Sequence, residues 1–204
     1  MKITRTLLRS LYIVLNFVEM IIFSILAMSI ANIMAQPTGS ESELYYNLGY
    51  SYYNGVDGAE PDYYNAVQWL LKAADLGHIK ANELLGECYY FGNGVGADIN
   101  MAINYYYNAA KLGSTSAQCT LGSLYGELGY KEEKERWLKI SAENGDANGQ
   151  YFLAMYYLLE TNRTDSDIEK AMYWYSRAVV GESKVARLEM KKIFKTWLAS
   201  KNLR

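Results

Sequence analysis

Residues 81–113 read ANELLGECYYFGNGVGADINMAINYYYNAAKLG, and this stretch decides the fold. Ala81, Leu84, Leu85, Cys88 and Tyr89 recur at intervals of three and four, and Ile99, Ala102, Ile103, Tyr106 and Ala110 do the same further on. That is the period of a helix with one apolar face. Between the two runs, Phe91-Gly92-Asn93-Gly94-Val95 breaks the chain with residues that tolerate positive φ. The stretch is therefore predicted to be two amphipathic helices joined by a turn.

The same unit recurs four times after residue 40. Leu48-Gly49 before Tyr52, Leu85-Gly86 before Tyr89, Leu121-Gly122 before Tyr125 and Leu153-Ala154 before Tyr157 form one column. Trp69, Tyr105, Trp137 and Trp174 form a second, and Gly77, Gly113, Gly145 and Gly181 a third. The aromatic column steps by 36, 32 and 37 residues and the glycine column by 36, 32 and 36, so the third copy is short in both. The missing residues fall between Tyr125 and Trp137, in the turn, where a deletion leaves both helices intact. A period of this length means units that cannot bury their apolar faces alone and are stabilised by stacking on their neighbours.

Local signals fill in the unit. Asp62, Asp98 and Asp167 each stand four residues before an alanine, at the start of a second helix, and are predicted N-caps. The column of terminal glycines suits the left-handed cap. Gly49, Gly86 and Gly122 lie inside first helices, where glycine costs about 1 kcal/mol relative to alanine. Close approach of a neighbouring helix offsets that cost, and Ala154 shows that the next smallest residue also fits.

With these columns in place the copies resemble Sel1-like repeats, relatives of the tetratricopeptide repeat. The second unit carries the resemblance in Ala81, Leu85-Gly86, Tyr89, Gly92-Asn93-Gly94-Val95, Asp98, Ala102, Tyr105 and Ala109-Ala110-Lys111-Leu112-Gly113; the first repeats it through Lys72-Ala73-Ala74-Asp75-Leu76-Gly77. The third departs by lacking the Gly-Val-Asp turn and by placing Lys134 where the others have alanine; the fourth has a polar turn, Thr161 to Asp167. The resemblance implies an all-α fold, a right-handed α-solenoid of about four helix-turn-helix repeats. Its expected parts are a segment 1–35, a linker 36–43, an array 44–182 divided at about 44–78, 79–114, 115–146 and 147–182, and a capping helix 183–204. It also implies an adaptor, of the exported bacterial type, rather than an enzyme. Some Sel1-like proteins bridge the two helices of every repeat with a cysteine pair. This chain lacks that framework, so the β-lactamase-like or penicillin-binding activities proposed for such members do not carry over.

The first 35 residues stand apart. Lys2, Arg5 and Arg9 precede a long apolar stretch, and Ile33-Met34-Ala35 before Gln36-Pro37 forms a small-residue cleavage site, with Ser29-Ile30-Ala31 a second candidate. This reads as an export signal. The competing reading is an uncleaved anchor, because Leu11 to Met34 is long enough to span a bilayer. Asn16 and Glu19 weigh against that, an acidic residue near a helix centre costing about 2.5 to 3.5 kcal/mol on insertion scales. In both cases the repeats are expected outside the cytoplasm, periplasmic or secreted, or tethered to the inner membrane.

Charge and reactive residues narrow the function. Loss of Lys2, Arg5, Arg9 and Glu19 would take the formal charge from −2 to −4, so the array offers phosphate backbones no broad attraction, and no nucleic-acid partner is expected. The basic tail beyond Lys184 has an apolar face of its own, as a terminal helix covering the last repeat requires. Cys88 and Cys119 fall in adjacent first helices but are offset by five residues relative to the Leu-Gly landmark, about 7.5 Å of rise, which predicts no disulfide. His78, the one histidine, follows the Gly77 cap and is expected to be a turn residue. The Glu132, Glu133 and Glu135 cluster opens a helix and suits its positive dipole end. No catalytic, metal or cofactor residue is expected.

What remains is a binding surface. In a tetratricopeptide-like register the positions two before, two after and five after each Leu-Gly leucine face a groove lined by first helices. These are Tyr46, Tyr50 and Tyr53; Glu83, Glu87 and Tyr90; Cys119, Ser123 and Gly126; and Tyr151, Met155 and Leu158. The expected function is a monomeric adaptor that binds a protein or peptide there, with membrane contact only through an uncleaved N-terminal segment. The alternatives are a cell-wall hydrolase of β-lactamase-like type and an envelope protein that neutralises a toxin.

Overall fold

The computed structural model describes residues 20–21, 39–56, 59–159, 164–180, 188, 191–192 and 195. The chain divides into two compact units, Met1–Glu41 and Ser42–Arg204. Of the first, Met20, Ile21 and Gly39–Glu41 are described, and all are helical. The leader or anchor expected over 1–35 and the capping helix expected over 183–204 otherwise lie outside the described residues. No helix among the described residues is long and apolar enough to cross a membrane.

The described residues from Gly39 onward are all-α. Eight helices follow in order: α1 (Gly39–Asn54), α2 (Tyr63–Asp75), α3 (Ile79–Phe91), α4 (Ile99–Lys111), α5 (Thr115–Glu127), α6 (Lys131–Glu143), α7 (Ala147–Leu159) and α8 (Asp165–Val180). They pair as first and second helices of four units, and each helix from α3 onward packs on its chain neighbours. First helix also meets first helix, α5 lying against α7. Together these contacts make the stacked α-solenoid that the period predicted.

Space inside each pair explains the glycine column. A Cβ on Gly49 would meet Leu70 Cγ at 2.7 Å, one on Gly86 the Tyr106 ring at 2.8 Å, and one on Gly122 Leu138 Cγ at 2.7 Å. The neighbour offsetting the cost of glycine is thus the second helix of the same unit, always through the residue one past the Trp/Tyr column. In the fourth unit that residue is Tyr175, fully buried beside Ala154. The core runs along this seam through Leu70, Leu85, Leu121, Leu138 and Leu153, each at most 1% exposed.

The shortened third turn keeps its bond. Asp62 N donates to Tyr52 O and Asp98 N to Tyr89 O, both at 2.8 Å, closing the longer turns against the column tyrosine. In the third unit Tyr130 N donates to Tyr125 O at 2.9 Å across only Leu128-Gly129 and its flanks, so the deletion removes the excursion and retains the closure.

Caps follow the expectation at two of three aspartates. Asp62 Oδ1 accepts from Asn65 N at 3.0 Å, and Asp98 Oδ1 from Asn100 N and Met101 N at 2.9 and 3.1 Å. Asp167 is not the cap. Helix α8 begins two residues earlier, Thr164 takes the cap position, and Thr164 N donates to Asp167 Oδ2 at 2.9 Å while Asp167 N donates to Thr164 Oγ1 at 3.3 Å. This is a reciprocal capping box, which uses the acid in the first turn. These bonds, the backbone N–H of Thr164 first, hold the Asp167 carboxyl down at about 2 against an ordinary 3.8. A depressed carboxylate stabilises the fold fully above its unfolded value and ceases to do so as pH falls through the folded value. Thermal midpoints followed from pH 5 to pH 2 are therefore expected to fall more for the parent than for Asp167→Asn, with the difference developing between about 4 and 2. Parallel curves would show that the box contributes nothing.

Candidate groove between the first helices

Tyr46 and Tyr50 lie one turn apart on α1, and Lys80, Glu83, Leu84 and Glu87 form an i, i+3, i+4, i+7 stripe on α3. With Tyr106 from α4 and Ser116 and Thr120 from α5 they line one cleft of about 430 Å³. Gly86 makes this possible, because its missing Cβ admits the Tyr106 ring to the space beneath the stripe. Tyr50 is 49% exposed at the mouth, its ring 5.7 Å from that of Tyr46.

Both carboxylates are held by side chains of other helices or turns, Glu87 from the first unit and Glu83 from the end of its own. Tyr53 Oη donates to Glu87 Oε1 at 3.0 Å and itself receives a hydrogen bond from Asn93 Nδ2 at 3.4 Å. Burial, and then the bond to Glu87, push the Tyr53 phenol up to about 12. Ser114 Oγ donates to Glu83 Oε1 at 2.5 Å. Burial raises the Tyr106 phenol as well, with Glu87 and Glu83 adding to it. At neutral pH the cleft therefore presents two fixed acceptors framed by neutral phenols.

A second column, not foreseen, runs along the groove edge. The residue after Gly77, Gly113 and Gly145 caps the next first helix: His78 Nδ1 accepts from Ala81 N at 3.2 Å, Ser114 Oγ from Ala117 N at 3.0 Å, and Asp146 Oδ1 from Gly149 N at 2.6 Å. Each also reaches back to the first helix of the unit that it ends. His78 Nε2 lies 3.0 Å from Glu43 Oε2, Ser114 bonds Glu83, and Thr115 Oγ1 donates to Asp146 Oδ2 at 3.5 Å. The bond from His78 holds the Glu43 carboxyl below its usual range. The His78 ring stacks on Tyr46 with centroids 4.4 Å apart, so the capping histidine braces a groove tyrosine.

The other sequence-predicted groove residues part company with this cleft. Tyr90 Oη donates to Glu127 at 3.0 Å, away from the lining. Cys119 does not face a groove: it is 7% exposed, packed on Leu138, Ala142 and Leu153, because α5 is covered by both α6 and α7. Ser123 Oγ donates to Cys119 O at 3.3 Å, and the vacant Cβ position of Gly126 faces the Lys134 side chain at 2.8 Å. Tyr151, Met155 and Leu158 pack half-buried on Ala154, Tyr175 and Ala178. Cys88 and Cys119 are both free, as their offset predicted, and burial pushes each thiol up to about 12. Glu135 departs from a helix-opening role and accepts from Tyr156 and Tyr157 of the next unit at 3.3 and 3.1 Å. Lys80, Ser116 and Thr120 went unforeseen, although the stripe through Glu83 and Glu87, extended one turn back, passes through Lys80.

Comparison with known proteins agrees with this architecture. The family model described as Sel1 repeat matches residues 42–78, 79–114 and 147–179. The chitin synthase regulator SKT5 of Saccharomyces cerevisiae is 32% identical over 149 residues, 69% of this chain and 21% of that protein. Among solved structures, the protective antigen c5321 of uropathogenic Escherichia coli, which displays an SLR fold, aligns with a TM-score of 0.67 at 28% identity, covering 76% of this chain and 34% of that one. A Sel1 repeat protein from Oxalobacter formigenes gives 0.67 at 26% identity over 79% of this chain and 67% of its own. The chain thus spans about a fifth of that curated relative. Helix pairs, glycine seams and matched repeats agree, and the chain belongs to the Sel1-repeat family.

Proposed function

We propose that this chain is a non-catalytic adaptor that binds a protein or peptide partner through the cleft between its first three units. Sel1-repeat proteins in general mediate protein–protein contacts, and the family match supports that class. The observation that carries the reading is the convergence of Tyr46, Tyr50, Glu83 and Glu87 on one open cleft. Two carboxylates one helical turn apart favour a cation, and the tyrosine rings offer it a quadrupole face and apolar contact. The partner segment is a peptide with a basic side chain flanked by apolar ones. The basic, apolar and small-residue succession of residues 1–35 supports a site of action outside the cytoplasm, with the array exported or tethered.

Crosslinking capture from the native envelope tests this with three proteins: the parent chain, Tyr50→Ala and Glu87→Ala. A partner retained by the parent and lost by both variants is expected. Capture that survives both substitutions intact would remove the groove from the account.

A further inference from the structure

The third unit borders a second cleft, of about 380 Å³, lined by Tyr107 of α4 in the second unit, Tyr125 of α5, and Tyr130, Glu133, Arg136 and Trp137 in and before α6. It exists because this unit is short. The Tyr130 N to Tyr125 O bond folds the turn back at once and brings the two rings to 6.2 Å, edge to face at 76°. Opposite them, Tyr107 and Trp137 meet at 5.9 Å and 84°. Tyr107 and Tyr130 are 41% and 59% exposed, whereas Trp137 is 8% exposed and forms the base. The family model does not match this unit, so the feature lies where the array departs from its own pattern.

We propose that this cleft binds a proline-rich segment in the polyproline II conformation, contributed by a protein partner. Such a segment has no internal hydrogen bonds, its prolines have no N–H, and its exposed carbonyls are acceptors. The cleft is matched to that. Three phenols and one guanidinium supply donors, and the single obligate acceptor, Glu133, already accepts from Arg136 at 3.4 Å. Upright aromatic walls are the surfaces that proline-rich segments dock on. A cationic ligand is disfavoured by the chain's own charges, since Lys111 Nζ lies 5.5 Å over the Tyr107 ring and Arg136 Cζ 6.0 Å over Trp137. A saccharide, which presents donors as well as acceptors and stacks on a flat ring face, meets rings set at nearly right angles instead.

The test is fluorescence anisotropy of fluorescein-labelled decaproline with the full chain, beside cellohexaose and a trimethyllysine peptide as probes of the other ligand classes. Saturable decaproline binding is expected. It should weaken about tenfold or more in Tyr107→Ala and in Tyr130→Ala, as for aromatic anchors, and less in Tyr130→Phe, which keeps the ring and loses the donor. Tyr50→Ala in the inner groove should leave it unchanged, which separates this site from the proposed adaptor groove. Circular dichroism shows whether each variant is folded, and Tyr130→Phe carries the comparison if an alanine variant is not. Absence of decaproline binding, binding indifferent to Tyr107 and Tyr130, or saturation by cellohexaose or the trimethyllysine peptide in its place would overturn the proposal.

Discussion

Gly94→Ala is expected to destabilise the fold by about 3 kcal/mol or more, a large fraction of what a domain of this size holds in reserve. Two costs coincide there. Gly94 has φ +75°, a left-handed conformation that costs a residue with a Cβ about 1–2 kcal/mol. The added Cβ would also run into the Tyr63 carbonyl group and lie 2.8 Å from Tyr64 N. Those are backbone atoms opening α2, pinned by the Asp62 cap and by Asp62 N to Tyr52 O, so the overlap cannot be relieved by rotating a side chain. Overpacking of this kind adds about 1–3 kcal/mol. The turn of the second unit is thus seated on the start of the second helix of the first, and the damage falls on the joint between units, where a solenoid draws its stability. Gly96→Ala is the control: nothing lies within 4 Å of its Cβ position, and its effect should stay within about 0.5 kcal/mol. Urea denaturation followed by circular dichroism measures both, and a Gly94→Ala midpoint matching that of Gly96→Ala would refute the seated turn.

Features that repeat with one residue type could be read before any coordinates. Three glycines in register inside helices implied a close neighbour, and Leu70, Tyr106 and Leu138 supply it. Features that repeat with different residue types could not. His78, Ser114 and Asp146 share one position and one capping task, yet the common property is only an acceptor atom placed to receive a backbone N–H three residues on, and no column of letters displays that. Asp167 shows the limit of spacing arguments at helix ends: the acid was located within one turn, but cap and first-turn positions differ by three residues and both favour a carboxylate. Groove lining was half legible. Tyr46, Tyr50, Glu83 and Glu87 follow from one register, whereas the burial of Cys119 and the packing of Tyr151 on Tyr175 depend on how α5 and α7 are covered by the helices that follow them. The pledging of Glu87 to Tyr53 and of Glu83 to Ser114, across 34 and 31 residues, is tertiary information of the same kind.

The glycine seam makes a second strong prediction at Gly122 and Leu138, which face each other across the third unit. Leu138 is 1% exposed and packs with Cys119, Ala142 and Leu153. Leu138→Ala removes that contact and leaves a cavity between well-packed helices, for an expected loss of about 3 kcal/mol. Gly122→Ala meets the opposite problem. Its Cβ would sit 2.7 and 2.8 Å from Leu138 Cγ and Cδ2 and 3.1 Å from Leu138 N. Overpacking by about 1–3 kcal/mol, less about 1 kcal/mol for the better helix former, leaves a net loss of up to about 2 kcal/mol. The two changes should not add. With Leu138 truncated, the Cβ at position 122 enters the space the leucine has vacated and only the contact with Leu138 N remains. The double variant should be no less stable than Leu138→Ala alone, a coupling of about 1–3 kcal/mol in a double-mutant cycle, the overpacking relieved. The same cycle at Gly49 and Leu70, where the corresponding Cγ distance is also 2.7 Å, should give coupling of the same sign. Additive losses at both sites would mean that the glycines answer to something other than the residue facing them, and the explanation offered for the repeat's most regular column would have to be abandoned.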